Sequence, residues 1–117
     1  MNFDNNIPIY IQLVNNLKND IISGSINSGD KLPSVRELAI SNKVNPNTMQ
    51  KALGELETLG LIYTERTNGK YVTKDKELIA KFKDEYAKNI TNEYLTKMQN
   101  LGCSKELILK YLSKGVK

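Results

Sequence analysis

The run Val44-Asn45-Pro46-Asn47-Thr48 interrupts an otherwise helical pattern of apolar residues, and it leaves few ways to fold the chain around it. Pro46 biases Asn45 away from the α region, so a helix arriving from upstream must stop before it. The same proline is well tolerated as the first residue of a new helix, with Asn45 as its N-cap. Pro46 therefore marks a boundary between two helices and not a kink within one. Upstream, Ser34 followed by Glu37 has capping-box spacing, which predicts a short helix starting at Val35 that turns Val35, Leu38 and Ala39 inward. Downstream, Met49, Ala52, Leu53, Leu56 and Leu59 define one face of a third helix, ended by Gly60 in a left-handed conformation.

The flanking segments extend this pair. From Pro8 the residues Tyr10, Leu13, Val14, Leu17 and Ile21 recur at three and four and predict a first helix that ends near Gly24. After Gly60, β-branched and aromatic residues surround Asn68-Gly69, the signal for a β-hairpin with a two-residue turn. Beyond it Ile79, Phe82, Tyr86, Ile90, Tyr94, Met98 and Leu101 follow at intervals of three or four, which predicts a long helix closed by Gly102. Ser104 then caps a last helix whose apolar face holds Leu107, Ile108, Tyr111 and Leu112. The expected fold is mainly α with a small β-hairpin wing: a winged helix-turn-helix over residues 1–74 followed by two C-terminal helices over 75–117.

Composition narrows the chemistry. The 117 residues include no histidine and one cysteine, Cys103, which removes the commonest general base, the usual zinc sites and an internal disulfide. No enzyme, metal or cofactor is expected. No apolar run approaches the roughly 18 residues of a membrane span, and the N-terminus lacks the order of a signal peptide, so a cytoplasmic protein with no membrane partner is expected. The net charge of +4 is concentrated towards the C-terminus: residues 1–76 hold 9 basic and 8 acidic side chains, residues 77–117 hold 8 and 5. Bulk charge leans towards an anionic partner without locating its surface.

Residue chemistry locates it better. At the start of the third helix Asn45, Asn47, Thr48 and Gln50 carry donors and acceptors suited to phosphates and base edges, and Lys51 adds a charge. Ser34 and Arg36 lie beside the unpaired amides at the head of the second helix, where phosphate is favoured. Arg66, Asn68, Gly69 and Lys70 form the end of the wing. Each also has a structural role open to it: Ser34 and Asn45 as caps, Asn68-Gly69 as a turn, Arg36 as a solvated charge.

The ordered set Gly29-Asp30-Lys31-Leu32-Pro33-Ser34-Val35-Arg36-Glu37-Leu38-Ala39, then Val44-Asn45-Pro46-Asn47-Thr48, then Glu57 through Gly60-Leu61-Ile62, resembles the DNA-binding domain of the GntR family of bacterial transcription regulators. The match covers about residues 8–73, and Pro8-Ile9-Tyr10 with Asn-Pro-Asn-Thr is similar to the YtrA-like subfamily. The resemblance implies that Ser34 and Arg36 contact phosphates or bases, that Asn47 and Thr48 enter the major groove, and that the hairpin near Gly69 touches the minor groove. Two positions depart from the family pattern. Gln50 stands where many members have arginine, and Thr67-Asn68-Gly69-Lys70 stands for Gly-x-Gly-Thr.

The resemblance also implies a sequence-specific repressor of an operon, often transporter-linked in that subfamily, that binds double-stranded operator DNA. Only residues 74–117 remain for anything beyond the winged helix, too little to enclose a conventional ligand pocket. The apolar faces of the last two helices instead suggest a homodimerisation module formed by Ile79, Phe82, Tyr86, Ile90, Tyr94, Met98, Leu101, Leu107, Ile108, Tyr111 and Leu112, consistent with a palindromic operator. No effector is specified; a small molecule modulating the protein would be sought near Phe82 and Tyr86. The alternative is a winged helix used for protein contact, which would give no salt-sensitive shift of any DNA.

Overall fold

Helix α1 (Ile9–Ser23) buries Leu13, Leu17 and Ile21, three of the five positions its spacing selects, because a four-residue step returns a side chain to nearly the same side. Its N-terminus has Pro8 in place of a side-chain cap. The Gln12 amide ties the entry down instead, donating to Asp4 O and Ile7 O at 2.7 Å each. These features belong to a computed structural model that describes residues 3–116.

Helices α2 (Val35–Asn42) and α3 (Pro46–Thr58) begin where the local chemistry requires. The Ser34 hydroxyl accepts the Glu37 N–H at 3.1 Å while Glu37 Oε1 accepts the Ser34 N–H at 3.2 Å, a complete capping box. Asn45 Oδ1 accepts the Asn47 N–H at 2.7 Å, with Pro46 opening α3. Both helices end alike. In α3 the Gly60 N–H donates to Glu57 O and the Leu61 N–H to Leu56 O, with Gly60 at φ 81. In α2 the Lys43 N–H donates to Ile40 O and the Val44 N–H to Ala39 O, but the left-handed residue, at φ 56, is a lysine. This double bond pattern satisfies carbonyls the helix would otherwise leave unpaired. Leu59, expected on the inward face of α3, lies past the last helical turn as its C-cap and is exposed.

Strands β1 (Ile62–Glu65) and β2 (Gly69–Val72) pair antiparallel, from Ile62 opposite Val72 to Glu65 opposite Gly69. Alternation puts Ile62 and Val72 into the core, while Tyr63 and Tyr71 stack with centroids 5.7 Å apart. The turn differs from expectation. It contains three residues, Arg66, Thr67 and Asn68, closed by the Asn68 N–H on Glu65 O at 3.2 Å. A two-residue type I′ turn needs positive φ at both central positions; only Gly69 has it, at 111°, so Gly69 begins β2 instead of forming the tip. The segment before α2 also joins the hairpin, as Leu32 donates to Lys70 O, Val72 donates to Asp30 O, and Lys31 bridges Tyr71.

One core unites these elements. Leu13, Leu17 and Ile21 meet Leu38, Ala39, Met49, Leu53, Leu56, Leu61, Ile62 and Val72. Burying side chains of this size stabilises each by about 1.5–3 kcal/mol relative to exposure. Helix α4 (Lys76–Asn100) follows, and its first turns supply Ile79 and Phe82 to the same core, with Lys18 Nζ 4.8 Å from the Phe82 ring centroid.

The chain divides into two compact units, Met1–Lys83 and Asp84–Lys117, so α4 belongs to both. In the second unit α4 runs to Asn100, and α5 (Lys105–Gly115) starts at Ser104, whose hydroxyl accepts the Leu107 N–H at 3.2 Å. Ile108 is buried, and a groove of about 430 Å³ lies between Thr91, Leu95 and Gln99 on α4 and Cys103, Ile108, Leu109 and Leu112. Leu101, expected to continue the α4 stripe, lies beyond the helix and is 77% exposed. Among the described residues, no helix is long and apolar enough to cross a membrane.

Candidate nucleic-acid interface

The 3.6-residue repeat gives α3 two unlike sides. Met49, Ala52, Leu53 and Leu56 are buried, which turns Asn47, Gln50, Lys51 and Gly54 to the opposite side. Of these, Asn47, Gln50 and Lys51 are exposed and Thr48 is half-buried at the edge. An outward row of amide, amide and ammonium on a helix anchored from behind can meet base edges and phosphates without disturbing the core. Asn45 differs from its neighbours because its side-chain oxygen is already committed to the cap, leaving only its NH2 group to donate outward.

At the head of α2 the capping box uses the Ser34 N–H and one acceptor site on its hydroxyl. The Ser34 O–H remains a donor, and the first-turn amides add the positive end of the helix dipole. Arg36 is exposed and, among the described residues, has no hydrogen-bond or ion-pair partner. An unengaged guanidinium in the first turn of a helix is well set to grip phosphate in bidentate fashion.

An open groove of about 690 Å³ joins this site to the wing, lined by Lys31, Ser34 and Glu37 on one side and Thr64, Asn68, Gly69 and Lys70 on the other. Arg66 and Asn68 are exposed at the turn, and Asn68 Nδ2 reaches Glu65 Oε2 at 3.3 Å. Lys70 is placed differently from the free wing charge its sequence position suggests. Its ammonium donates to Thr64 Oγ1 at 3.0 Å and lies 3.8 Å from Glu57 Oε1, and its side chain is 16% exposed. Thr64 in turn donates to Glu57 Oε1. Lys70 therefore braces the wing against α3 as well as adding positive charge there.

Lys51 is likewise engaged, its Nζ 3.8 Å from the Tyr10 ring centroid. Two residues absent from the sequence-based site belong to this surface: Tyr10, which holds Lys51, and Lys31, whose side chain passes beside Gly69. Lys31 stood in the sequence as part of the Gly29–Ala39 motif but not as a site residue, since nothing local announces its bridge to Tyr71.

The residues expected to dimerise separate into groups. Ile79 and Phe82 pack on the winged-helix core of their own chain. Ile108 is buried and Tyr94 and Met98 are half-buried. Tyr86, Ile90, Leu107, Tyr111 and Leu112 remain exposed, Tyr86 by 43% and Ile90 by 49%.

Comparison with known proteins agrees with this fold. A family model described as "Bacterial regulatory proteins, gntR family" matches residues 9–72. The HTH-type transcriptional repressor YtrA of Bacillus subtilis is 47% identical over 68 residues, covering 58% of this chain and 52% of that protein. A solved GntR family transcriptional regulator from Listeria monocytogenes superposes with a TM-score of 0.88 at 43% identity, over 98% of this chain and all of the other. AraR(DBD) in complex with operator ORE1 matches 57% of this chain and 82% of its own, with a TM-score of 0.55 and 31% identity.

Proposed function

The chain belongs to the gntR family of bacterial regulatory proteins, and from that premise we propose that it is a homodimeric repressor binding a palindromic operator through the α2 N-terminus, the outward side of α3 and the wing. As a member of this family it is a DNA-binding transcription regulator and not an enzyme. The single observation carrying the site is the side of α3 opposite its buried row, where Asn47, Gln50 and Lys51 stand exposed while Arg36 is unpartnered among the described residues.

The assignment of roles follows from chemistry. Arg36, the Ser34 O–H and the α2 amides hold phosphates and fix register; Asn47, Thr48 and Gln50 read base edges, with Asn or Gln suited to adenine. Arg66 leads the wing. Dimerisation is supported by the apolar side chains that the second unit leaves in solvent, Ile90, Leu107, Tyr111 and Leu112 among them, since exposed apolar patches on a small protein mark association surfaces. Twofold pairing then presents two α3 helices to two half-sites.

Selection of genomic DNA fragments by the purified protein tests this directly. Recovery of fragments sharing an inverted repeat, bound with an affinity that falls steeply as salt rises by a species of twice the chain mass, is the expected result. Absence of salt-sensitive binding to any fragment, including DNA upstream of its own gene, would overturn the DNA assignment in favour of a winged helix that contacts protein. A monomer bound to single half-sites would overturn the dimer.

A further inference from the structure

Lys51 is the sole positive charge on α3, a helix that also carries Glu55 and Glu57. Its position is not left to solvent. The Nζ atom lies 3.8 Å from the centroid of the Tyr10 ring, which projects from the first turn of α1 and is half-buried. The negative face of an aromatic ring attracts an ammonium ion, and Leu13, one turn further along α1, is wholly buried in the core that α1 shares with α3. The platform beneath Lys51 is therefore fixed by the fold. Lys51 nevertheless remains exposed, so the ammonium keeps an open side.

A solvated lysine has many rotamers to lose when it contacts a ligand, and that loss opposes binding. A lysine already seated on a ring loses fewer. The seat also selects the kind of contact: the ammonium is drawn across to α1, and as a compact point charge it suits a phosphate better than the two-atom pattern of a base edge.

We propose that Tyr10 is a positioning residue for DNA binding, holding the Lys51 ammonium at the α1 side of the recognition helix so that it neutralises a backbone phosphate. The assignment rests on the DNA-binding function proposed above. It extends the functional surface to α1, outside the helix-turn-helix and the wing, and makes Lys51 a register-fixing contact and not a base reader.

The test is a double-mutant cycle on the full-length protein with a duplex recovered by the genomic selection, its affinity followed by fluorescence anisotropy across a salt series. Lys51→Met should flatten the log–log salt dependence by about 0.9. Tyr10→Leu should weaken binding about two- to fivefold, the worth of an exposed cation–π contact, and Tyr10→Phe, which keeps the ring, should restore it. In the Lys51→Met background Tyr10→Leu should cost nothing further. An equal loss in both backgrounds, or Tyr10→Phe as weak as Tyr10→Leu, overturns the proposal. NMR of the unaltered protein gives an independent readout: the Lys51 Hε protons should be shifted upfield by the ring, and ordinary shifts overturn the proposal even if Tyr10→Leu folds poorly. If the wild-type protein binds no DNA, the regulatory function itself falls; if it binds and the cycle shows no coupling, only the role of Tyr10 does.

Discussion

The Lys70 ammonium lies 3.8 Å from the Glu57 carboxylate, joining the wing, one pair from its turn, to the last turn of α3, with Thr64 hydrogen-bonded to both. Three side chains on three elements thus fix the hairpin relative to α3. Glu57 is 37% exposed, so solvent screens the pair and its contribution is about 0.5–1 kcal/mol. Glu57→Gln should lower stability by that amount in urea denaturation and speed amide exchange across Thr64–Lys70. An unchanged exchange pattern would show that the wing holds its place without this brace.

Arg36→Ala removes a side chain with no partner among the described residues, so the fold should not register its loss: the unfolding free energy in urea should stay within about 0.5 kcal/mol of wild type, as for ordinary surface changes. Operator affinity should fall at least tenfold, as expected for a charge-assisted phosphate contact of about 1.5–3 kcal/mol. Full affinity in the folded variant would remove Arg36 from the interface.

Two backbone positions predict stabilisation by opposite exchanges. Gly54 sits mid-helix in α3, and a Cβ there would meet nothing within 4 Å; Gly54→Ala should stabilise the protein by about 0.5–1 kcal/mol. Lys43 holds the left-handed C-terminal position of α2 at φ 56, where glycine avoids a clash of Cβ with backbone. Lys43→Gly should gain about 0.5–1 kcal/mol, the left-handed cost less the extra entropy of an unfolded glycine. Chemical denaturation midpoints check both.

For the proposed dimer, Ile90→Glu and Tyr111→Glu place charge on side chains that are about half exposed in the single chain. Each should leave the helical signal intact and shift sedimentation towards the monomer, with weaker operator binding as a consequence. A variant that still sediments as a dimer would remove its residue from the interface.

The caps were legible in the sequence because their partners are neighbours: Ser34 with Glu37, and Asn45 with Pro46 and Asn47. The long stripe of α4 was legible as a helix but not as a surface. Each four-residue step from Phe82 through Tyr86, Ile90, Tyr94 and Met98 turns by about 40° around an ideal helix, so these residues wind around α4 and do not share one face. Ile79 and Phe82, in the first compact unit, join the winged core, while Tyr86 and Ile90, in the second, stay exposed. The two lysines of the candidate interface were misleading for a different reason. Lys51 and Lys70 find Tyr10 and Glu57, partners that only the packed fold brings near, and the same holds for the bridge from Lys31 to Tyr71.

Because Gly69 begins β2, the leading edge of the wing is Arg66-Thr67-Asn68, with Arg66 exposed. Runs of A·T pairs narrow the minor groove and deepen its negative potential, which favours an inserted arginine without any base-specific bond. The protein should therefore prefer operators whose wing-facing flanks are A·T-rich, a preference carried by groove width. Selected DNAs with randomised flanks will display that bias, and Arg66→Gln should erase it while leaving the half-site sequence read by α3 unchanged.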